Sequence, residues 1–414
     1  MSEPHVVVVG AGAAGVGAGL ELRARGIPFV ILEAAQRVGG RAFTDSESLP
    51  RPWDQGCHWL HCADVNPLVA WADRLGATYR REVRGDHFAI WTEGRFADTE
   101  ELQAAGASLR AAYQAIEAAA ARGEDLSVAE VLPDAGPWSS GVRSVLQAMA
   151  GDDPERVSAA GYADYEETDV NWPVLSGYGD LIGRMAAGLP LRLGVAVTQV
   201  DQGAKDVRVE TTAGPLKARA AIVTVSTNVL TSGRIGFGPG PARELLDLVA
   251  QVPCGAYEKI AFALRRLPGA VAEKIFCTVD PGQGAPALDF QIMDGDPPLM
   301  IAHIAGGPAR EVTAAGRDAT IALAKERLSL AFGSAFPKEI QAAAVTGWTE
   351  NPFVQGSYSH AAPGKAYLRH EMIAADSGNL AFAGEAFSRN WQATAHGAYQ
   401  SGRDVASRVA GLVG

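Results

Sequence analysis

The sequence predicts an α/β fold, and three observations carry that prediction. The chain opens with His5-Val6-Val7-Val8-Val9, a β-branched run without alternation, as expected of a parallel strand covered on both faces. Gly10-Ala11-Gly12-Ala13-Ala14-Gly15 follows at once and leads into Val16, Leu20 and Ala24 at helical spacing, stopped by Gly26. A second apolar run, Phe29 to Leu32, ends on Glu33. Strand, helix and strand thus close within about 30 residues, the size of a β-α-β unit of the Rossmann type.

The turn has the G-x-G-x-x-G spacing, and each glycine has a physical task. Gly10 makes the tight turn, Gly12 lets backbone approach a pyrophosphate, and Gly15 lets helix and strand pack closely. The helix start, with Ala14, offers unpaired N–H groups to phosphate charge. Glu33 stands 18 residues after Gly15, where a carboxylate accepts hydrogen bonds from ribose hydroxyls. These residues predict a dinucleotide site but do not separate FAD from NAD.

Further elements follow in order. Residues 101–131 are alanine-rich, with Leu102, Leu109, Tyr113 and Ile116 at helical spacing. Residues 140–150 and 178–188 read as short helices. Leu191–Val200 and Val207–Thr211 read as a strand pair, and Ala221–Val225, Glu258–Leu264 and Leu299–Ile304 as strands. Ala319–Phe332 is an amphipathic helix, Leu380–Ala383 a buried strand, and Ala395–Val409 a helix after a glycine-rich turn. Dinucleotide signals at both ends of the chain predict two interleaved domains. The cofactor domain is expected at 1–70, 185–240 and 345–414, and a mixed α+β substrate domain at 71–184 and 241–344.

Composition narrows the function. Of 414 residues, 47 are glycine, without a collagen period. The net charge of −11 argues against nucleic acid and anionic membranes as partners. No apolar window is long enough to span a membrane, and no signal peptide is visible. The cysteines, Cys57, Cys62, Cys254 and Cys277, form no C-x-x-C pair and predict neither a metal site nor a disulfide framework. A reducing, cytoplasmic setting is expected.

The stretch from Glu33 to Gly39-Gly40-Arg41 resembles the extended fingerprint of a large flavoprotein class, with Arg41 placed to neutralise a pyrophosphate. Asp54-x-Gly56-x-x-Trp59-x-His61 with Asn66-Pro67-Leu68, Gly177-Tyr178-x-x-Leu181, Thr224 to Leu230 with Ile235-x-Phe237-x-Pro239, and Trp348 to Pro363-Gly364 extend the likeness. The strongest segment is Leu380-x-x-x-Gly384-Glu385 followed by His396-Gly397-Ala398-Tyr399-x-Ser401-Gly402. Together these motifs resemble the flavin-containing amine oxidases, which include monoamine, polyamine and L-amino-acid oxidases and a histone demethylase.

That resemblance implies FAD as cofactor and oxidation of an amine to an imine by hydride transfer to flavin N5, with later hydrolysis. It implies that Gly56 and Trp59 pass near the flavin ring and that Val197 lies by the adenine. Gly384 and Glu385 would face the diphosphate, and Thr394 and Ala395 would stand at a helix start under the flavin. Tyr358 matches one of two aromatic positions flanking the substrate amine. The second falls on Thr394, which is no ring, so Trp391 is the nearest candidate to supply one; His61 is a candidate for the substrate entrance. Ser357 stands where some relatives carry a flavin-bound cysteine, so the FAD is expected to be non-covalent. The family's lysine near flavin N5 is sought after Leu299–Ile304, where Pro308 occurs instead, and Lys259 reads as structural. Slow reoxidation by oxygen is the resulting expectation, with oxygen or another oxidant as the electron acceptor. The alternatives are a desaturase- or protoporphyrinogen-oxidase-like flavoprotein, or an inactive FAD-stabilised binding protein.

Overall fold

The computed structural model describes residues 4–81, 87–282 and 284–414. Val6–Val9 is fully buried at the centre of a five-stranded parallel sheet. Its order is Leu380–Phe382, Ala220–Val223, Val6–Val9, Phe29–Glu33, Leu191–Leu193. Strands from both ends of the chain are therefore joined through Ala220–Val223, which pairs with Val6–Val9 on one side and with Leu380–Phe382 on the other.

One face of this sheet carries the helix Ala13–Ala24, which lies against the last helix, Ala395–Val413. Glycines make that approach possible. A Cβ on Gly17 would sit 2.4 Å from the Tyr399 carbonyl oxygen, and one on Gly402 would sit 2.0 Å from that of Ala14.

The run 191–200 is not one strand. Gly194 takes the left-handed region at φ 68° and breaks it. Leu191–Leu193 then joins the parallel sheet, while Val197–Gln202 pairs with Val207–Thr211 in a separate four-stranded sheet. The alanine-rich run also divides. Its helix is Thr99–Ala121, opened by a capping box of Asp98 and Glu101, and a second short helix, Val128–Val131, starts afresh on Ser127.

A seven-stranded mixed sheet stands apart from the parallel one. Its order is Ile340–Val345, Tyr257–Leu264, Leu299–Ala305, Leu288–Met293, Phe276–Val279, Phe88–Thr92, Arg95–Phe96. One face buries Ile260, Phe262, Phe290 and Met300 beneath the helix Arg317–Phe332. Part of the opposite face is turned to a large cavity. Register decides which residues appear there. Lys259 pairs with His303, His303 with Asp289, Asp289 with Thr278, and Thr278 with Ile90. Paired residues project to the same side, so these five form one row across the sheet, and all five line the cavity.

Candidate active site

The cavity measures about 1870 Å3 and runs from the glycine turn of the parallel sheet to the row on the mixed sheet. At its first end Gly10, Gly12, Ala14, Glu33, Gly40 and Arg41 line the wall. Glu33 is held there by two backbone donors, Ala11 N at 2.7 Å and Ala35 N at 2.8 Å. The glycines divide by role. A Cβ on Gly15 would lie 1.9 Å from the Gly10 carbonyl oxygen, so Gly15 serves the turn and is not on the cavity wall. A Cβ on Gly12 would meet nothing nearer than 3.9 Å, and one on Gly384 nothing within 4 Å. The fold itself asks for a glycine at position 15; the space beside Gly12 and Gly384 is free for a bound molecule.

Arg41 donates to Glu385 at 2.9 Å and to the Ser357 carbonyl at 2.5 Å. Burial works against the Arg41 charge, but the Glu385 carboxylate more than offsets it, and the guanidinium is held charged. Burial likewise pushes the Glu385 carboxyl up; Arg41, Ser359 and Arg369 prevail and bring it below its ordinary value. Glu385 also accepts from Ser359 Oγ at 2.7 Å and Ala393 N at 2.9 Å. Val197, Thr394 and Ala395 complete this end. Thr394 caps the last helix, its hydroxyl accepting from Gly397 N and donating to the Trp391 carbonyl.

At the far end aromatic rings follow one another. Tyr358 lies 5.9 Å from Tyr257, Tyr257 is 5.8 Å from His303, His303 is 6.0 Å from Phe276, and Phe276 is 6.4 Å from Trp59. All of them line the cavity. The Tyr358 hydroxyl donates to the Ala148 carbonyl, which turns the ring edge-anchored into the wall. Gly56 lines the cavity too, and a Cβ there would lie 1.7 Å from the Arg41 carbonyl oxygen. His61 is on the wall with its Nδ1 2.7 Å from Asn171 Oδ1.

Two expectations are corrected. Trp391 is not on the cavity wall; its ring packs 5.2 Å from that of His396. The ring beside Tyr358 is Tyr257, delivered by a strand far from it in sequence. The stretch searched for a lysine also lies away from the cavity. Pro308 is in the helix Gly306–Ala315, off the wall, whereas Lys259 lines the cavity one strand over. Lys259 Nζ donates to the carbonyls of Gly56 at 2.7 Å and Asp54 at 3.0 Å. Burial pushes its pKa down to about 8, against the pull of Asp54. Alternation along Tyr257–Leu264 puts Tyr257 and Lys259 on one face, a signal that was legible once the strand's cavity side was known.

The family model of flavin-containing amine oxidoreductases matches residues 13–157 and 138–410. The chain is 28% identical to polyamine oxidase 2 of Arabidopsis thaliana over 96% of its length and 86% of that protein's. It is 26% identical to lysine-specific histone demethylase 2 of Homo sapiens, covering 98% of this chain and 53% of that one. In fold it is similar to the cyclohexylamine oxidase from Brevibacterium oxydans IH-35A, with a TM-score of 0.83 over 99% of both chains at 18% identity. With matches to the family model running from the glycine turn to the last helix, the chain belongs to the flavin-containing amine oxidoreductases and is a flavoenzyme that oxidises amines.

Proposed function

We propose that the chain binds FAD without a covalent bond and oxidises a small-molecule amine, with oxygen as electron acceptor. The observation that carries this reading is the continuity of one cavity from the Gly12 turn and Glu33 to the Tyr358–Tyr257 wall and Lys259. The free space at Gly12 and Gly384 fits a diphosphate drawn close to backbone, and the Glu33 carboxylate fits a ribose. FAD rather than a shorter flavin is supported by Val197 at the same end. When bound, the flavin supplies the redox chemistry, accepting a hydride from the carbon next to the amine nitrogen.

The remaining work belongs to this chain's side chains. The aromatic wall excludes water and disfavours the charged amine, so the substrate loses its proton before reaction. Tyr358 and Tyr257 flank the reacting carbon. Lys259, with its pKa near 8, holds or releases a proton at Nζ close to neutral pH. Thr394 positions the last helix start, and His61 lines the approach. The reading as an inactive scaffold drew on a missing lysine and a missing ring, and Lys259 and Tyr257 speak against it. We assign 1–70, 185–240 and 345–414 to the cofactor domain and the rest to the substrate domain, and the four free thiols support a reducing, cytoplasmic setting.

Anaerobic mixing with a panel of amines tests the activity. Bleaching of the flavin by at least one amine is expected; bleaching by none overturns the reading. Acid precipitation tests the linkage, because Ser357 offers no thiol. Yellow pigment is expected in the supernatant, and pigment retained on the pellet would refute a non-covalent FAD.

A further inference from the structure

Gln392 stands in the turn before the last helix, lines the cavity and is only 5% exposed. One partner settles the orientation of its amide. Nε2 donates to the Gly161 carbonyl at 3.1 Å. Turning the amide over would set two acceptors against each other, so Oε1 is the end left over. That atom is buried, and among the described residues no donor reaches it. A buried acceptor without a donor is costly, so a native site keeps one where something else supplies the donor. The next residue adds a second observation. Ala393 has a φ of 64°, in the left-handed region that a Cβ disfavours. The turn is held in this form by Glu385, whose Oε2 accepts from Ala393 N at 2.9 Å.

The same carboxylate oxygen brings the turn to the proposed reaction centre. It also accepts from Ser359 Oγ at 2.7 Å. Gln392 precedes Ala393 and Tyr358 precedes Ser359, so both side chains reach the cavity wall from backbone tied to one oxygen.

We propose that Gln392 Oε1 accepts a hydrogen bond from an N–H of the reacting amine and so fixes the orientation of its nitrogen. This rests on the amine-oxidation reading. A neutral amine carries N–H donors and one lone pair. Held by an N–H, it keeps the lone pair free to form the C=N bond as the hydride leaves the neighbouring carbon for the flavin. The acceptor's neutrality matters. A carboxylate at this place would favour the ammonium form, in which a proton occupies the lone pair. Donor count then sets the outcome: a neutral primary amine offers two N–H bonds, a secondary amine one, and a tertiary amine none. A tertiary amine leaves Oε1 buried and unpaired, and a site built to bond an N–H rejects the analogue that lacks it.

The test measures kcat/KM of the flavin-loaded enzyme for one primary amine that bleaches the flavin, for its N-methyl derivative and for its N,N-dimethyl derivative. In the wild type the second methylation is expected to cost at least about tenfold more than the first, the scale of one unmet buried hydrogen bond. Gln392→Met keeps the length of the side chain and removes the acceptor. In that variant the primary and secondary amines are expected to fall on the order of 10- to 100-fold while the tertiary amine is unchanged, so the extra step disappears. A wild-type series without the extra step, or a step of the same size in the variant, overturns the proposal. The wild-type series alone decides if the variant fails to fold or to hold flavin. Oxidation of amines without the step overturns the role of Gln392 and leaves the activity reading intact; oxidation of no amine overturns both.

Discussion

Arg41 and Glu385, 344 residues apart in sequence, meet at 2.9 Å and join the first and last motifs of the chain into one wall. The pair also takes in Ser359 and Arg369, since Arg369 Nη1 donates to Ser359 Oγ at 3.1 Å and that hydroxyl donates to Glu385. Removing one partner of a buried pair strands the other. Glu385→Gln should therefore lose about 3–5 kcal/mol of folding stability, read by urea titration at pH 7. The carboxyl is held below its ordinary value, so its contribution is present above the unfolded pKa of about 4.3 and is lost as pH falls through the folded one. The gap between wild type and variant should close on acidification below that range; a gap independent of pH would contradict the assignment.

Lys259 makes the opposite forecast to the one drawn from Pro308. A cation in the cavity favours charge developing on oxygen as it is reduced. Stopped-flow mixing of reduced enzyme with oxygen should show fast reoxidation that slows as pH rises through about 8, where Nζ loses its proton. Lys259→Met should be slower by at least about tenfold, the cost of one such electrostatic contact, and flat with pH. A wild-type rate without pH dependence between 7 and 9, or a variant as fast as wild type, would sink the idea.

Gly12 and Gly15 look alike in the motif and should behave differently. Gly12→Ala places a methyl group in free space at a φ of −72°, which alanine adopts, so the apoprotein should keep its stability. Flavin retention, read from the visible-to-ultraviolet absorbance ratio after dialysis, should fall because the methyl occupies the diphosphate's place. Gly15→Ala drives a methyl onto the Gly10 carbonyl and should cost about 1–3 kcal/mol or more in the apoprotein itself. Equal effects of the two substitutions on apoprotein stability would refute this division.

Tyr358 and Tyr257, the rings proposed to flank the substrate, lie 5.9 Å apart at 47°. Replacing either with leucine should lower kcat/KM for amines by about tenfold or more, since an aromatic contact beyond area burial is worth about 0.5–1.5 kcal/mol and water exclusion adds to it. Tyr358→Phe, which removes only the hydrogen bond to Ala148, should retain most of the rate. If Trp391→Leu proves as damaging as Tyr257→Leu, the ring assignment is wrong.

The glycine turn, Glu33 and the Gly384–Glu385 segment were legible because each is a short contiguous piece whose geometry depends on neighbours in sequence. The split of 191–200 was not read from the sequence: the run was taken as one strand, and the break at Gly194 and the separate sheets on either side of it were decided by strand pairing. Trp391 misled because, although its carbonyl accepts from the Thr394 hydroxyl, the turn before the last helix points its ring at His396 and not into the cavity. Lys259 was set aside because the position was matched to Leu299–Ala305, the neighbouring strand of the sheet. The antiparallel pairing Lys259↔His303 shows how close that was, since the two strands share one cavity face.

Asp289 and His303 carried no motif at all. By itself the sequence determined the β-α-β start, the glycine-lined turn and the family, all of which rest on local backbone demands that specific residues meet in order. Only the tertiary structure decided which residues face the cavity. A strand's alternation says that every second side chain shares a face, but the register with its neighbours, and what packs on the other side, determines which face that is.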